Sequence, residues 1–409
     1  MGGEYIVLII GYIFGFYMAW NIGANDVANS MASAVGAKAI TIRQAILIAS
    51  LLNVVGATFL GSHVTNTIRK GIVSTQILSD PQLALIGALA ALLAAALWVS
   101  FATWKSLPVS TTHSIVGAMI GFGIMAGGFD VINWSKLGAV VLSWVISPIF
   151  SLVIAFFLFK LIIRLVLSSD DAGAAALRWS PVFIGSAVFV VVLSFLFKTP
   201  LGKNLSLAMP SALIIAAVAA YVLGMAGKWM IRRFVIGPQN RGAEEIFRRI
   251  QIGTSCYVAL AQGANDVANA IGPLAVIYFL VKTGAVGAKV PVPIFLLLFG
   301  GVGIACGIWM AGYRVMTTIG TKITTLTNTR GFCVDFSAAT TVLLASKLGL
   351  PVSTTHAAVG GVMGVGIARG MEAVNFRVVF QIMIYWVLTV PAAALTSMLL
   401  FWIIRWIYL

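Results

Sequence analysis

Two polar blocks each occur twice in this chain, in the same order. Gly23-Ala24-Asn25-Asp26-Val27-Ala28-Asn29 returns intact as Gly263-Ala264-Asn265-Asp266-Val267-Ala268-Asn269, and Pro108-Val109-Ser110-Thr111-Thr112-His113 returns as Pro351-Val352-Ser353-Thr354-Thr355-His356. Asp266 follows Asp26 by 240 positions and His356 follows His113 by 243. Two unrelated motifs repeated in register imply that the whole half-chain is duplicated. The fold must therefore be assembled from two copies of one unit.

These blocks sit in a very apolar setting. Charged residues make up only 9% of the 409 residues, hydrophobic ones 60%, and mean hydropathy is +1.04. A soluble protein carries roughly a quarter of its residues charged, so most of this surface faces lipid. In hydrocarbon the backbone is satisfied only within helices or closed barrels. The apolar runs are long and unbroken rather than short and alternating, which predicts an all-α membrane protein.

About twelve spans are expected, near 4–28, 40–67, 82–104, 112–128, 135–163, 180–198, 207–230, 250–281, 291–318, 332–348, 354–370 and 376–407. The two Asn-Asp blocks fall on the first and eighth spans. A displacement of seven, an odd number, makes the repeats antiparallel. Such inverted-topology repeats, with re-entrant or broken helices at the centre, are a common secondary-transporter plan. The expected division is 1–165 for the first repeat, 166–249 for connecting spans and a basic loop, and 250–409 for the second repeat. Val64–Ile68 matches Val315–Ile319, and Gly117–Gly128 resembles Gly360–Gly370, which extends the likeness beyond the motifs.

The most basic connection, Lys228 to Arg249 with Arg232, Arg233, Arg241 and Arg248, is expected in the cytoplasm. Both termini then lie outside, and loops carrying 17 of the 26 Lys and Arg residues lie inside. The net charge of +15 is dispersed over short loops, an orienting pattern rather than a nucleic-acid surface. No basic start or small-residue cleavage site precedes the first block, so no cleavable signal peptide is expected. Cys256, Cys306 and Cys333 lie singly in apolar segments and read as core filler. Arg69, Lys70, Arg314 and Lys322 read as residues snorkelling to the interface.

Asn25 and Asn29 are four apart and share a helix face with Asp26 beside them. An intramembrane acid is expensive and usually faces a partner or a cavity. A carboxylate, amide oxygens and freed carbonyls, repeated at Asn265, Asp266 and Asn269, make a hard-oxygen site suited to a small cation such as sodium. The alternative, a helix contact in which small residues pack and Asn bonds across, weakens when both copies carry an acid. In the second block Pro108 and Pro351 end one helix, and Ser110 or Thr111, and Ser353 or Thr354, can cap the next. A helix N-terminus attracts anions. The Ser110-Thr111-Thr112 and Ser353-Thr354-Thr355 hydroxyls add donors for a tetrahedral oxyanion. The bland alternative is a capped turn whose hydroxyls bond their own backbone. His113 and His356 read first as structural hydrogen-bonding residues and next as proton or substrate contacts. A Ser-His hydrolase reading lacks an orienting carboxylate and a nucleophile elbow. Gln262 has Ile22 as its counterpart and would make the ligand contacts asymmetric.

The paired blocks resemble those of the inorganic phosphate transporter (PiT) family over essentially the whole chain. That resemblance implies a secondary transporter and not an enzyme, without cofactor, moving inorganic phosphate inward with sodium or protons across the cell (plasma) membrane. By the same resemblance Ser110, Thr111, Thr112, Ser353, Thr354 and Thr355, with Asn29, Asn269 and Gln262, are expected to contact phosphate. Asn25, Asp26, Asn265 and Asp266 are expected to hold sodium. Some members carry sulfate or metal-phosphate complexes, and these remain alternatives, as do an anion channel and an intramembrane hydrolase. A homodimer is common among such folds. Many members have a glutamate in each repeat where Asn66 and Thr317 stand here, which removes two obvious proton carriers and favours sodium. The large central loop of animal members is missing.

Overall fold

The computed structural model describes residues 2–61, 73, 77, 80–198, 202, 205, 207–234, 242–283, 292–347 and 352–408. Asn66 with the rest of Val64–Ile68, Arg69, Lys70, Arg241 and Pro351 lie outside the described residues. The described residues form α-helices α1 (Gly2–Asp26), α2 (Ala28–Gly36), α3 (Ile42–Leu60), α4 (Pro81–Trp104), α5 (Thr111–Gly127), α6 (Trp134–Ile162) and α7 (Ala172–Lys198). They continue with α8 (Met209–Phe234), α9 (Ala243–Thr283), α10 (Ile294–Thr317), α11 (Asn328–Lys347), α12 (Thr354–Ile367) and α13 (Phe376–Tyr408). α1 and α2 are one span interrupted at Val27, directly after Asp26. Counted that way, each of the twelve expected spans has its helix.

Nine of these helices are long and apolar enough to cross a membrane. The other three are informative. α5 has 17 residues and α12 has 14; at 1.5 Å per residue they reach only about 25 and 21 Å, short of a ~30 Å hydrocarbon core. They are half-helices that begin inside the bundle, at the two Ser-Thr-Thr triplets. α11 carries Arg330 and Asp335 and is lined with small and polar residues, so it suits the interior rather than lipid.

The halves interlock. α1 packs mainly on α10, and α3 packs on both α9 and α10, so each half's first helix embraces the other's second. Likewise α5 packs on α13 and α12 on α6. These last two contacts use four-residue glycine spacings. An added Cβ at Gly117 would meet the Val390 carbonyl, and one at Gly360 the Pro148 carbonyl, the close backbone approach that small residues permit between membrane helices. Gly11 of α1 lies against Ile277 of α9, and Gly15 against Leu274. Numbering therefore rises along α1 as it falls along α9, and the two motif helices are antiparallel. α7 and α8 pack on each other, with α8 on the periphery.

Candidate functional site

The interrupted helix α1–α2, the centre of α9 and the first turns of α5 and α12 converge on one buried polar cluster. Ser110 caps α5 by accepting from the His113 amide at 3.2 Å, and Ser353 caps α12 by accepting from the His356 amide at the same distance. The Thr355 hydroxyl donates to the Val109 carbonyl at 3.2 Å, so the two helix starts abut. Their unpaired first-turn N–H groups place partial positive charge at one point.

The Asn-Asp blocks bridge these starts crosswise. Asn29 donates to Thr355 at 2.9 Å and to Thr354 at 3.3 Å, both in the opposite half. Asn269 returns the arrangement, donating to Thr112 at 3.1 Å and Thr111 at 3.3 Å. Asp26 joins both helix starts, accepting from Thr111 at 2.6 Å and from Thr355 at 3.5 Å. Asp26 and Asp266 are both buried, at 1% and 5% exposure. Among the described residues no Lys or Arg pairs with Asp26, and the ion pairs present join Glu245 to Arg248 and Arg249 near the start of α9. Thr103 and Asn25, on neighbouring helices, add a further buried contact at 2.9 Å.

Several expected ligands have other work. Asn25 donates to Thr103 and to the Leu107 carbonyl at 3.1 Å, and its carbonyl accepts from the Val109 amide at 3.0 Å. These contacts brace the segment that leads into α5, so Asn25 supports the hydroxyl triplet. Its counterpart Asn265 lines a cavity beside the cluster. His113 and His356 lie behind the helix starts, 4.7 Å apart, wedged between Trp144 and Trp386. His356 Nδ1 is 3.2 Å from the Trp144 carbonyl, and Trp386 donates to the Pro108 carbonyl. The pair fills the seam between halves by ring packing, and among the described residues neither ring nitrogen of His113 has a hydrogen-bond partner. Thr317, at a family-glutamate position, donates to its own helix at Arg314. Replacing Asn25 with Ala should lower uptake severalfold and the melting temperature by several degrees, since three hydrogen bonds are worth ~1 kcal/mol each; transport and thermal-shift assays on the purified variant check this.

Asp335 has no place in the duplicated blocks, because the position 243 earlier is Leu92. It is 1% exposed and accepts from Ser33 and Ser255, each at 2.5 Å, and from Thr254 at 3.4 Å. It ties α2 and α9 to α11, next to the cluster. The available signal was an isolated acid in an apolar segment.

The comparisons agree with this geometry. A family model for the phosphate transporter family matches residues 22–397. A Pyrococcus abyssi protein, provisionally named a phosphate permease, is 52% identical over 98% of both chains. Inorganic phosphate transporter 2-1, chloroplastic, of Arabidopsis thaliana is 42% identical over 96% of this chain and 71% of its own length. A solved structure titled the sodium-dependent phosphate transporter is 47% identical, with a TM-score of 0.89 over 98% of this chain and 100% of that one. Two inverted, interlocked halves, paired half-helix starts and a match of this extent lead to one conclusion: the chain belongs to the phosphate transporter family, a multi-pass membrane transporter of phosphate and not an enzyme.

Proposed function

We propose that this protein takes up phosphate together with sodium ions by alternating access. The observation that supports this best is a buried carboxylate, Asp26, held between two helix N-termini with only neutral partners among the described residues. A buried charge without a counter-charge costs several kcal/mol. A sodium ion at Asp26, with another at Asp266 and Asn265, removes that cost and makes a doubly charged anion tolerable beside it. The helix starts, the Ser110–Thr112 and Ser353–Thr355 hydroxyls, and the Asn29, Asn269 and Gln262 amides then hold phosphate without an arginine clamp. An Asp oxygen can accept the proton of hydrogen phosphate, which fully ionised sulfate does not offer; a site that requires such a hydrogen bond discriminates strongly. The structural relative's sodium dependence supports the choice of cation.

In this reading 1–165 and 250–409 are the two repeats and 166–249 the connector. The basic α8–α9 connection faces the cytoplasm and both termini lie outside the cell membrane. Proteoliposomes test the coupling. Phosphate accumulation should require an inward sodium gradient and stop without sodium. Accumulation driven by a pH gradient in sodium-free buffer would assign the coupling to protons.

A further inference from the structure

The two approaches to the cluster differ, although the chain around them is duplicated. On one side lies a cavity of ≈ 30 Å³ bounded by Asn29, Tyr257, Gln262, Asn265, Thr354 and, from the connector, Ser194. A volume of that size admits water but not a tetrahedral anion. Gln262 is 2% exposed, and neither its amide nitrogen nor its oxygen has a hydrogen-bond partner among the described residues. Asn29 Oδ1 is in the same condition. Buried amides left so are costly, which marks a surface built for something that passes. The Tyr257 hydroxyl and Ser194 meet at this cavity's edge, and both line it.

The opposite approach is filled. Tyr17 precedes Asp26 by nine residues, as Tyr257 precedes Asp266. Its hydroxyl is 2.6 Å from Ser100 of α4, and Ser100 donates onward to Asn21 Oδ1 at 2.7 Å. Asn21 is fully buried, whereas its counterpart Ala261 lines the cavity. Ala96 and Ala339 each stand twelve residues before their Pro-Val-Ser-Thr-Thr-His block; Ala96 has 0% exposure, whereas Ala339 lines the cavity. At the position matching Ser100 stands Leu343, buried against Val190, Leu193 and Leu196 of α7. The connector helix therefore supplies the hydroxyl partner that α4 supplies on the other side. Because α1 and α9 are antiparallel, the two tyrosines stand on opposite sides of the cluster.

Resting on the phosphate reading above, we propose that this cavity is the vestibule by which phosphate passes to one membrane face, with Tyr257–Ser194 as its door. The Tyr17–Ser100–Asn21 chain is the shut door of the opposite face. Gln262, which belongs to the cradle and also faces the cavity, offers the anion its first amide contact. Each door is a contact between neutral side chains, weak enough for cargo binding to tip the balance. Opening the first moves α9 against α7; opening the second moves α1 against α4.

The test uses Ala339→Cys and Ala96→Cys, with Ala338→Cys and Ala95→Cys as second reporters. The background is Cys256→Ser, Cys306→Ser and Cys333→Ala, the protein is reconstituted in vesicles, and the probe is a small membrane-impermeant thiol reagent. Ala339→Cys should react from one face only, at least tenfold faster than Ala96→Cys, and fivefold more slowly once phosphate and sodium are added. Tyr257→Phe should raise the Ala339→Cys rate severalfold and leave Ala96→Cys unchanged; Tyr17→Phe should do the reverse. Equal labelling at both reporters, or an Ala339→Cys rate indifferent to both phosphate and Tyr257→Phe, overturns the proposal. Failure of the cysteine-free protein to take up phosphate while one-sided, Tyr257-dependent labelling persists would remove phosphate as the cargo and leave the door standing.

Discussion

Asp26→Asn and Asp266→Asn should each cut sodium-driven phosphate uptake at least thirtyfold while leaving a folded protein. The substitution keeps the side chain's size and one hydrogen-bond acceptor for Thr111, while Thr355 keeps the Val109 carbonyl as a partner. What it removes is the charge that would hold a cation in a dry site. Losing one member of a buried charge pair costs about 2–5 kcal/mol, and each 1.4 kcal/mol is a factor of ten, so the expected loss runs from roughly thirtyfold to several thousandfold. Uptake in proteoliposomes, measured beside elution profile and melting temperature, reads both sides of this statement. Wild-type uptake by the two single variants would show that neither acid holds the coupling ion.

The second large effect concerns packing. Gly23→Val should abolish recovery of folded protein, because a Cβ at Gly23 runs into the Ile304 carbonyl, and one at Gly307 into the Trp20 carbonyl. These are backbone atoms on the α1–α10 contact, so no rotamer change relieves the clash. The helices must separate, and the interlock of the halves goes with them. Overpacking costs typically 1–3 kcal/mol where side chains can give; here they cannot, and the loss is expected to exceed that. Gly138→Ala is the contrast: a Cβ there meets nothing within 4 Å, and the helix-interior gain of up to ~1 kcal/mol should leave or slightly raise stability. Detergent-solubilised yield and thermal unfolding of the two variants make the comparison.

The parts of this protein that repeat were legible, and the parts that break the repeat were not. Spans follow from runs of apolar residues, and the helix starts at Ser110 and Ser353 follow from proline and hydroxyl chemistry. Both are local properties. Asp335 escaped because duplication was the filter, and it has no twin. The bracing role of Asn25 escaped for another reason: it depends on which backbone groups of the segment before α5 the fold brings to it.

Sequence alone determined that the chain is a bundle of membrane helices made of two inverted copies, and which polar residues those copies place among apolar ones. Hydropathy and repetition are written along the chain and need no folding to be read. Only the tertiary structure decided that Asn29 reaches Thr354 and Thr355 rather than its own half's triplet, that Asp26 touches both helix starts, and that one approach is hollow while the other is filled. Those outcomes depend on where the connector α7 packs and how closely glycines let backbones approach. They belong to pairs of residues far apart in the chain, which no spacing within it records.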